Sequence, residues 1–173
     1  MSCVDVRPVC GFPTVVVLPD GPLTLWWGPD VAGVDVVATR DSRVLTWQDV
    51  DTCLGAVREL GWPAEEAEAD VVDLSPVRAW LAGVRRSVPA GPALEAWNLA
   101  GEVAVSVDAS WDDRGRLADV CHLKLTAAAS PSLSGPRGYV PRWTVAQERY
   151  LRRRIGAALA LLRTHLSAEA GAS

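Results

Sequence analysis

The hydrophobic period of this chain changes once, close to Thr46, and that change limits what it can fold into. Ahead of Thr46 the apolar residues run together or alternate. "TVVVL" (residues 14–18) is a β-branched run. In "LTLWW" (residues 23–27) Leu23, Leu25 and Trp27 share one side of a strand and Trp26 takes the other. The "PDGP" between them carries Asp20-Gly21, a hairpin signal because glycine accepts positive φ. Pro19 and Pro22 lack an N–H, so the ladder is expected to begin beyond them. "GVDVVAT" (33–39) reads as a third strand and "RVLT" (43–46) as a short fourth.

From Thr46 onward the spacing becomes helical. Thr46 is expected to cap a first helix, with Asp49 completing a variant capping box and Trp47, Val50, Leu54 and Val57 forming the apolar stripe. Gly61 and Pro63 end it. Residues 71–74 read as a strand or an extended linker. Ser75 caps a second helix, with Pro76 at its first position and Val77, Trp80, Leu81 and Val84 on the buried face. A third helix, 91–107, carries Leu94, Trp97, Gly101 and Ala104, and its small residues call for close approach by another element. A fourth follows the loop around Asp112, with Leu117, Val120, Cys121 and Lys124 on one face. Residues 127–143 are rich in Ser, Pro and Gly and read as a loop. Thr144 and Gln147 form a capping box, and Leu151, Ile155, Ala158, Leu162 and Leu166 stripe the last helix.

Strands first and helices after give an α+β class: an N-terminal antiparallel meander of three to four strands, covered on one face by about five helices. One domain is expected over 1–166, strand-rich in 12–46 and helix-rich in 47–166, with a disordered tail at 167–173. A chain of 173 residues, 49% of them hydrophobic, can bury a core without disulfides or a structural metal.

Composition excludes several function classes. The start, "MSCVDVRPVCGF", is not a basic segment followed by an apolar one, and no apolar run reaches membrane-spanning length, so a cytoplasmic protein with no membrane partner is expected. Cys3, Cys10, Cys53 and Cys121 are scattered and read as free thiols, with Cys53 and Cys121 in the core. Neither a Gly-rich dinucleotide fingerprint nor a P-loop occurs, and no cofactor or metal site is signalled. Arginine outnumbers lysine sixteen to one, and tryptophan phenylalanine eight to one, alongside abundant Ala, Val and Gly. That joint bias fits a GC-rich coding sequence, so the arginines alone do not indicate phosphate binding.

The stretch from Ala96 to Leu123 concentrates the polar groups able to do chemistry. On a helix, Glu95, Asn98 and Glu102 fall on one side; a buried glutamate there gains a raised pKa and serves as a base, while an exposed one is a solvated stripe. Asp108, Asp112 and Asp113 fit no calcium loop, and Asp112 or Asp113 is the expected cap of the fourth helix. Cys121 and His122 point about 100° apart on a helix, and with no nucleophile elbow they do not form a recognisable nucleophilic pair.

Charge is divided along the chain. Acids crowd residues 48–73, and arginines crowd residues 137–163. The arginines are read as balancing those acids, in this molecule or a neighbour. The first functional reading is a small protein-binding module rather than an enzyme: an adaptor or an inhibitor or immunity-type protein. Its partner is another protein or its own copy, anchored by Trp26, Trp27, Arg137, Tyr139, Trp143, Arg149 and Arg153. The second is a small enzyme acting on a metabolite, with Asn98, Glu102 and Asp112 in its cleft. The third is nucleic-acid binding through the Arg149–Arg154 face, which the net charge of −4 argues against.

Overall fold

A two-residue turn at Pro19-Asp20 joins the two longest strands, β1 (Phe12–Leu18) and β2 (Gly21–Pro29). Their antiparallel ladder runs from Phe12↔Trp27 to Leu18↔Gly21. It includes Pro22, opposite Val17, and so extends further than expected. Every second residue of such a ladder turns its N–H away from the partner strand, and proline is tolerated there. This computed structural model describes residues 5–64, 68–130 and 139–166. The expected tail at 167–173 lies outside them.

The outer edge of β2 is shared end to end by two short strands. β3 (Asp35–Val37) pairs with Trp27 to Pro29, and β6 (Thr46–Trp47) pairs with Thr24 and Leu25. Between them β4 (Thr39–Arg40) and β5 (Arg43–Val44) form a separate ribbon, turned by Asp41 and Ser42 at positive φ. The two expected strands of 33–46 are therefore four short ones. Thr46 and Trp47 belong to the sheet and not to a helix: a β-branched and an aromatic side chain suit a pleated edge. Asp49 is the true cap of α1 (Val50–Glu59), its carboxylate accepting the Thr52 N–H at 2.7 Å.

The sheet is mixed, not a pure meander. β7 (Asp70–Asp73) returns parallel to β1, pairing Thr14↔Asp70 through Val17↔Asp73. The order β3-β2-β1-β7 leaves β1 inside the sheet. α2 (Ser75–Leu81) follows at once; the expected Ser75 cap does not form, Leu74 holds the cap position without a side-chain cap bond, and Asp73 just ahead accepts the Ser75 N–H at 2.9 Å. Gly83 at φ +78° stops the chain from continuing as helix, so Val84 is exposed and not on a buried stripe.

Three long helices complete the chain: α3 (Ala90–Ser106), α4 (Arg116–Ala129) and α5 (Val145–His165). The Thr144–Gln147 capping box forms as the sequence reads, and Leu151, Ile155, Ala158, Leu162 and Leu166 are all buried. The cap expected for α4 does not form. Gly115, at φ +108°, holds that position without a side-chain bond, because the helix starts beyond the reach of Asp112 and Asp113. Among the described residues, no helix is long and apolar enough to cross a membrane.

The α+β class holds, and the two faces of the sheet are covered unequally. Val16, Leu23, Leu25, Val37 and Val72 join the large core beneath α2 to α5. Trp26 and Ala38 pack with Cys53 and Val57 of α1 in a smaller core of their own. Alternation along β2 thus sends Trp26 and Trp27 to opposite faces, as a period of two requires. α3 is the hub of the large layer, packing on β3, β7, α2, α4 and α5.

One hydrogen bond straps α3 to the sheet. Ser106 Oγ accepts the buried Val37 N–H at 3.0 Å and donates to Glu102 O at 2.7 Å. Ser106→Ala leaves that N–H without its acceptor and should lower the unfolding free energy by roughly 1–3 kcal/mol in a urea titration. A midpoint equal to that of the wild type would show that the strap carries no stability.

Candidate functional site

Residues 107–115 leave the end of α3 and fold back alongside it before α4 begins. Trp111 rides on this segment and packs onto α3 at Gly101. A Cβ at Gly101 would lie 3.3 Å from the indole nitrogen, so the small residue read from sequence does admit a close neighbour, and that neighbour is Trp111. Behind Trp111 stands Arg154 of α5. Its guanidinium lies 4.9 Å from the Trp111 ring centre and 5.6 Å from those of Trp97 and Tyr150. It donates to the Tyr150 hydroxyl from Nε at 3.3 Å and Nη2 at 3.2 Å, and sits 3.9 Å from Asp112. Three rings and a hydroxyl thus hold a guanidinium inside the molecule, where its planar fork suits both contacts.

In front of Trp111 is a cleft of about 680 Å³. α3 contributes Trp97, Asn98, Gly101, Glu102 and Val105; α4 contributes Ala118, Asp119, His122, Leu123 and Thr126. Val34 and Asp35 close it from the β3 side, and Trp111 and Asp113 from the connecting segment. Asn98 and Glu102 are one turn apart on α3, which sets them on the same side. His122 Nε2 lies 3.0 Å from Asn98 Oδ1, and its ring meets Trp97 edge-on with centres 5.5 Å apart. The α4 turn carrying His122 is braced by Thr126, whose hydroxyl donates to His122 O at 3.0 Å.

Glu102 is the unusual group. Its Oε2 is enclosed and has no hydrogen-bond partner among the described residues, and the same holds for Trp111 Nε1. Burial, and secondarily the negative charge of Asp35, push its carboxyl up to about 8. A carboxylic acid is thereby kept protonated at neutral pH and close to the value at which proton exchange is easiest.

The structure sorts the residues singled out by sequence. Asn98 and Glu102 share the cleft. Asp112 does not line it and lies on the far side of Trp111, beside Arg154 and Arg153. Glu95 leaves the expected row and is raised by burial and by Asp70 and Asp73. Cys121 points away, buried, its Sγ 4.0 Å from Gln147 O, and burial raises its thiol, which opposes a thiolate nucleophile. Trp111, Asp35 and Asp119 were not singled out. Gly101 was the sequence signal for Trp111; nothing local marked the two aspartates.

The expected binding residues are scattered. Trp26 is 0% exposed and has no surface to give a partner. Trp27 is half-buried against Phe12, ring centres 5.9 Å apart. Trp143 is half-buried under Lys124, and Tyr139 is half-buried. Arg149 and Arg153 are exposed, and Arg137 lies outside the described residues. Arg152 stacks 4.5 Å from the Trp80 ring centre and pairs with Glu148 at 3.2 Å. Among the described residues, the acids that meet Arg152 and Arg154 are therefore Glu148 and Asp112, and none of the 48–73 segment.

Among the described residues, no group of three or more His, Cys, Asp or Glu side chains is arranged to hold a metal ion. No protein-family model, curated protein or solved structure matches this chain.

The state of Glu102 has a consequence for stability. The unfolded chain holds this carboxyl at its ordinary 4.5, and the native fold at about 8. Between those values the native state binds the extra proton, so this group makes the fold less stable as pH rises through that window, with nothing lost below it. Glu102→Gln should therefore gain on the wild type as pH rises, by on the order of 2–4 kcal/mol above the window. Urea titrations below, within and above it measure the difference; a gap that stays constant would contradict the buried, protonated carboxyl.

Proposed function

We propose that this chain binds a small metabolite in the α3–α4 cleft and exchanges a proton with it through Glu102. The observation that carries the proposal is a concave site holding Glu102, whose enclosed Oε2 has no hydrogen-bond partner among the described residues, beside an imidazole held by Asn98. Perturbed titratable groups in a pocket mark sites of acid–base chemistry more often than chance. Glu102 donates from its protonated form and accepts once ionised. His122, held by Asn98, sets a second proton-carrying side chain in the same cleft, and acid–base catalysis uses two such groups. Trp97 and Trp111 exclude water from one wall, which strengthens each polar contact inside.

This reading is preferred to the protein-binding one for a physical reason. Of its expected anchors, Trp26 is inside and Trp27, Tyr139 and Trp143 are half-buried; in the Arg149–Arg154 face read for nucleic acid, Arg152 and Arg154 are occupied by Trp80, Tyr150 and nearby acids. What remains of the face, Arg149 and Arg153, is a pair of solvated charges, and isolated surface charges contribute little to affinity.

The test is an untargeted one. Wild-type protein and Glu102→Gln are incubated with a metabolite extract, and mass spectrometry follows which species disappear and appear. Wild type is expected to consume at least one species, and the variant to do so about 10²–10⁴-fold more slowly. A wild type that changes nothing, or a variant as fast as the wild type, overturns the proposal.

A further inference from the structure

The charge lining the cleft is one-sided. Asp35 reaches it from β3, Glu102 from α3, Asp113 from the connecting segment and Asp119 from α4. No Lys or Arg is among its lining residues. Two neighbouring cations are directed elsewhere: Arg154 is held behind Trp111 by Tyr150 and Asp112, and Lys124 donates to Arg142 O at 2.7 Å and Gln147 Oε1 at 2.9 Å. Arg114 and Arg116, next in sequence to Asp113 and three residues before Asp119, are exposed and do not line the cleft. Even with Glu102 protonated, three carboxyls face the space, and no Lys or Arg lines it to oppose them. Such a cleft repels anions and concentrates cations. Its rim is apolar, since Val34, Val105 and Leu123 are each about half or more exposed (48%, 63% and 66%). Trp111 adds a ring to one wall.

We infer that the ligand of this cleft is a small organic cation, an amine with an attached apolar group, whose ammonium is met by Glu102 and Asp35 while its apolar part lies against Val105, Leu123 and Trp111. The inference rests on the proposed function in taking the cleft as a small-molecule site, and adds the class of molecule. An ammonium beside Glu102 favours the carboxylate over the acid, so binding at neutral pH expels a proton. Glu102 Oε2, sealed from solvent and without a hydrogen-bond partner among the described residues, gains a donor once the carboxyl turns toward the ligand. An anion of the same shape gains neither.

Three probes of one skeleton separate these outcomes: benzylammonium, benzyl alcohol and benzoate. Each is titrated at low ionic strength against the full chain, the tryptophan indole N–H resonances being followed by NMR and the heat by calorimetry in two buffers of different ionisation enthalpy. Benzylammonium should shift the Trp111 resonance saturably and bind about tenfold more tightly than benzyl alcohol, while benzoate does not bind. Its heat should differ between buffers by the release of up to one proton, and Glu102→Gln should abolish that difference. Asp35→Asn, at an exposed strand end where folding is not at risk, should weaken benzylammonium by about threefold and leave benzyl alcohol unchanged. If benzyl alcohol or benzoate shifts Trp111 at equal or lower concentration, the cation inference fails while the small-molecule site stands. If no probe shifts Trp111, both fail. Tight benzylammonium binding with no proton released would overturn the role given to Glu102.

Discussion

Helix α3 has neighbours on nearly every side, and the rest of the molecule is arranged around that fact. Sheet strands β3 and β7 lie against it, as do α2, α4 and α5. Its buried positions are therefore mostly small, with Ala93, Ala96, Ala100 and Ala104 letting backbones approach and Trp97, Leu99 and Val103 the larger buried side chains. A helix in that position cannot turn its polar residues freely to water. Glu95 emerges near Asp70 and Asp73 of β7, while Asn98 and Glu102 emerge where a neighbour is missing, between α4 and the end of β3. The half-buried state of Glu102 follows from the packing of α3 as a whole and not from anything special in its own sequence neighbourhood.

Arg154 shows how such a layer tolerates charge. Its side chain is 12% exposed, yet its only acidic partner, among the pairs described, is a long contact to the solvated Asp112. Aromatic faces and the Tyr150 hydroxyl do most of the solvating. Lysine would present a compact ammonium that needs three acceptors, and this site has one hydroxyl and one distant carboxylate. The wall of the cleft formed by Trp111 is thus fixed from behind by an arginine that never faces the cleft.

Features written in consecutive residues were legible from the sequence. The hairpin of residues 12–29, the capping box at Thr144 and the stripe of α5 all depend on side chains within a few positions of each other, and all are present, though the turn falls at Pro19-Asp20, one residue ahead of the expected Asp20-Gly21. The α4 cap differs from the sequence reading because Asp112 and Asp113 are good capping residues wherever they stand, while α4 starts later, behind Gly115; Trp111, in the same connecting segment, packs on Gly101, a contact that propensity does not contain. Thr46 was misread for the same reason, as pairing with Leu25 outweighed its capping tendency. The cleft was half legible. Asn98 and Glu102 stand out within one helix, whereas Asp35, Asp119 and Trp111 are brought to them from three other segments. Asp112, adjacent in sequence to Trp111, ends up behind the ring instead of in front of it.

The parallel pairing of β1 with β7 bears on how the chain emerges during synthesis. The β1–β2 hairpin is complete by Pro29, but the other edge of β1 stays open until Asp70–Asp73 has been made and has crossed back to it. Until then Val15, Val16 and Val17 present a β-branched edge with unpaired backbone groups, the kind of edge that templates association between chains. Helix α1, made in the interval, covers a face and not that edge. The nascent chain is therefore most exposed to aggregation through the segment that ends up innermost in the sheet, and slowing synthesis between α1 and β7 would lengthen that exposure.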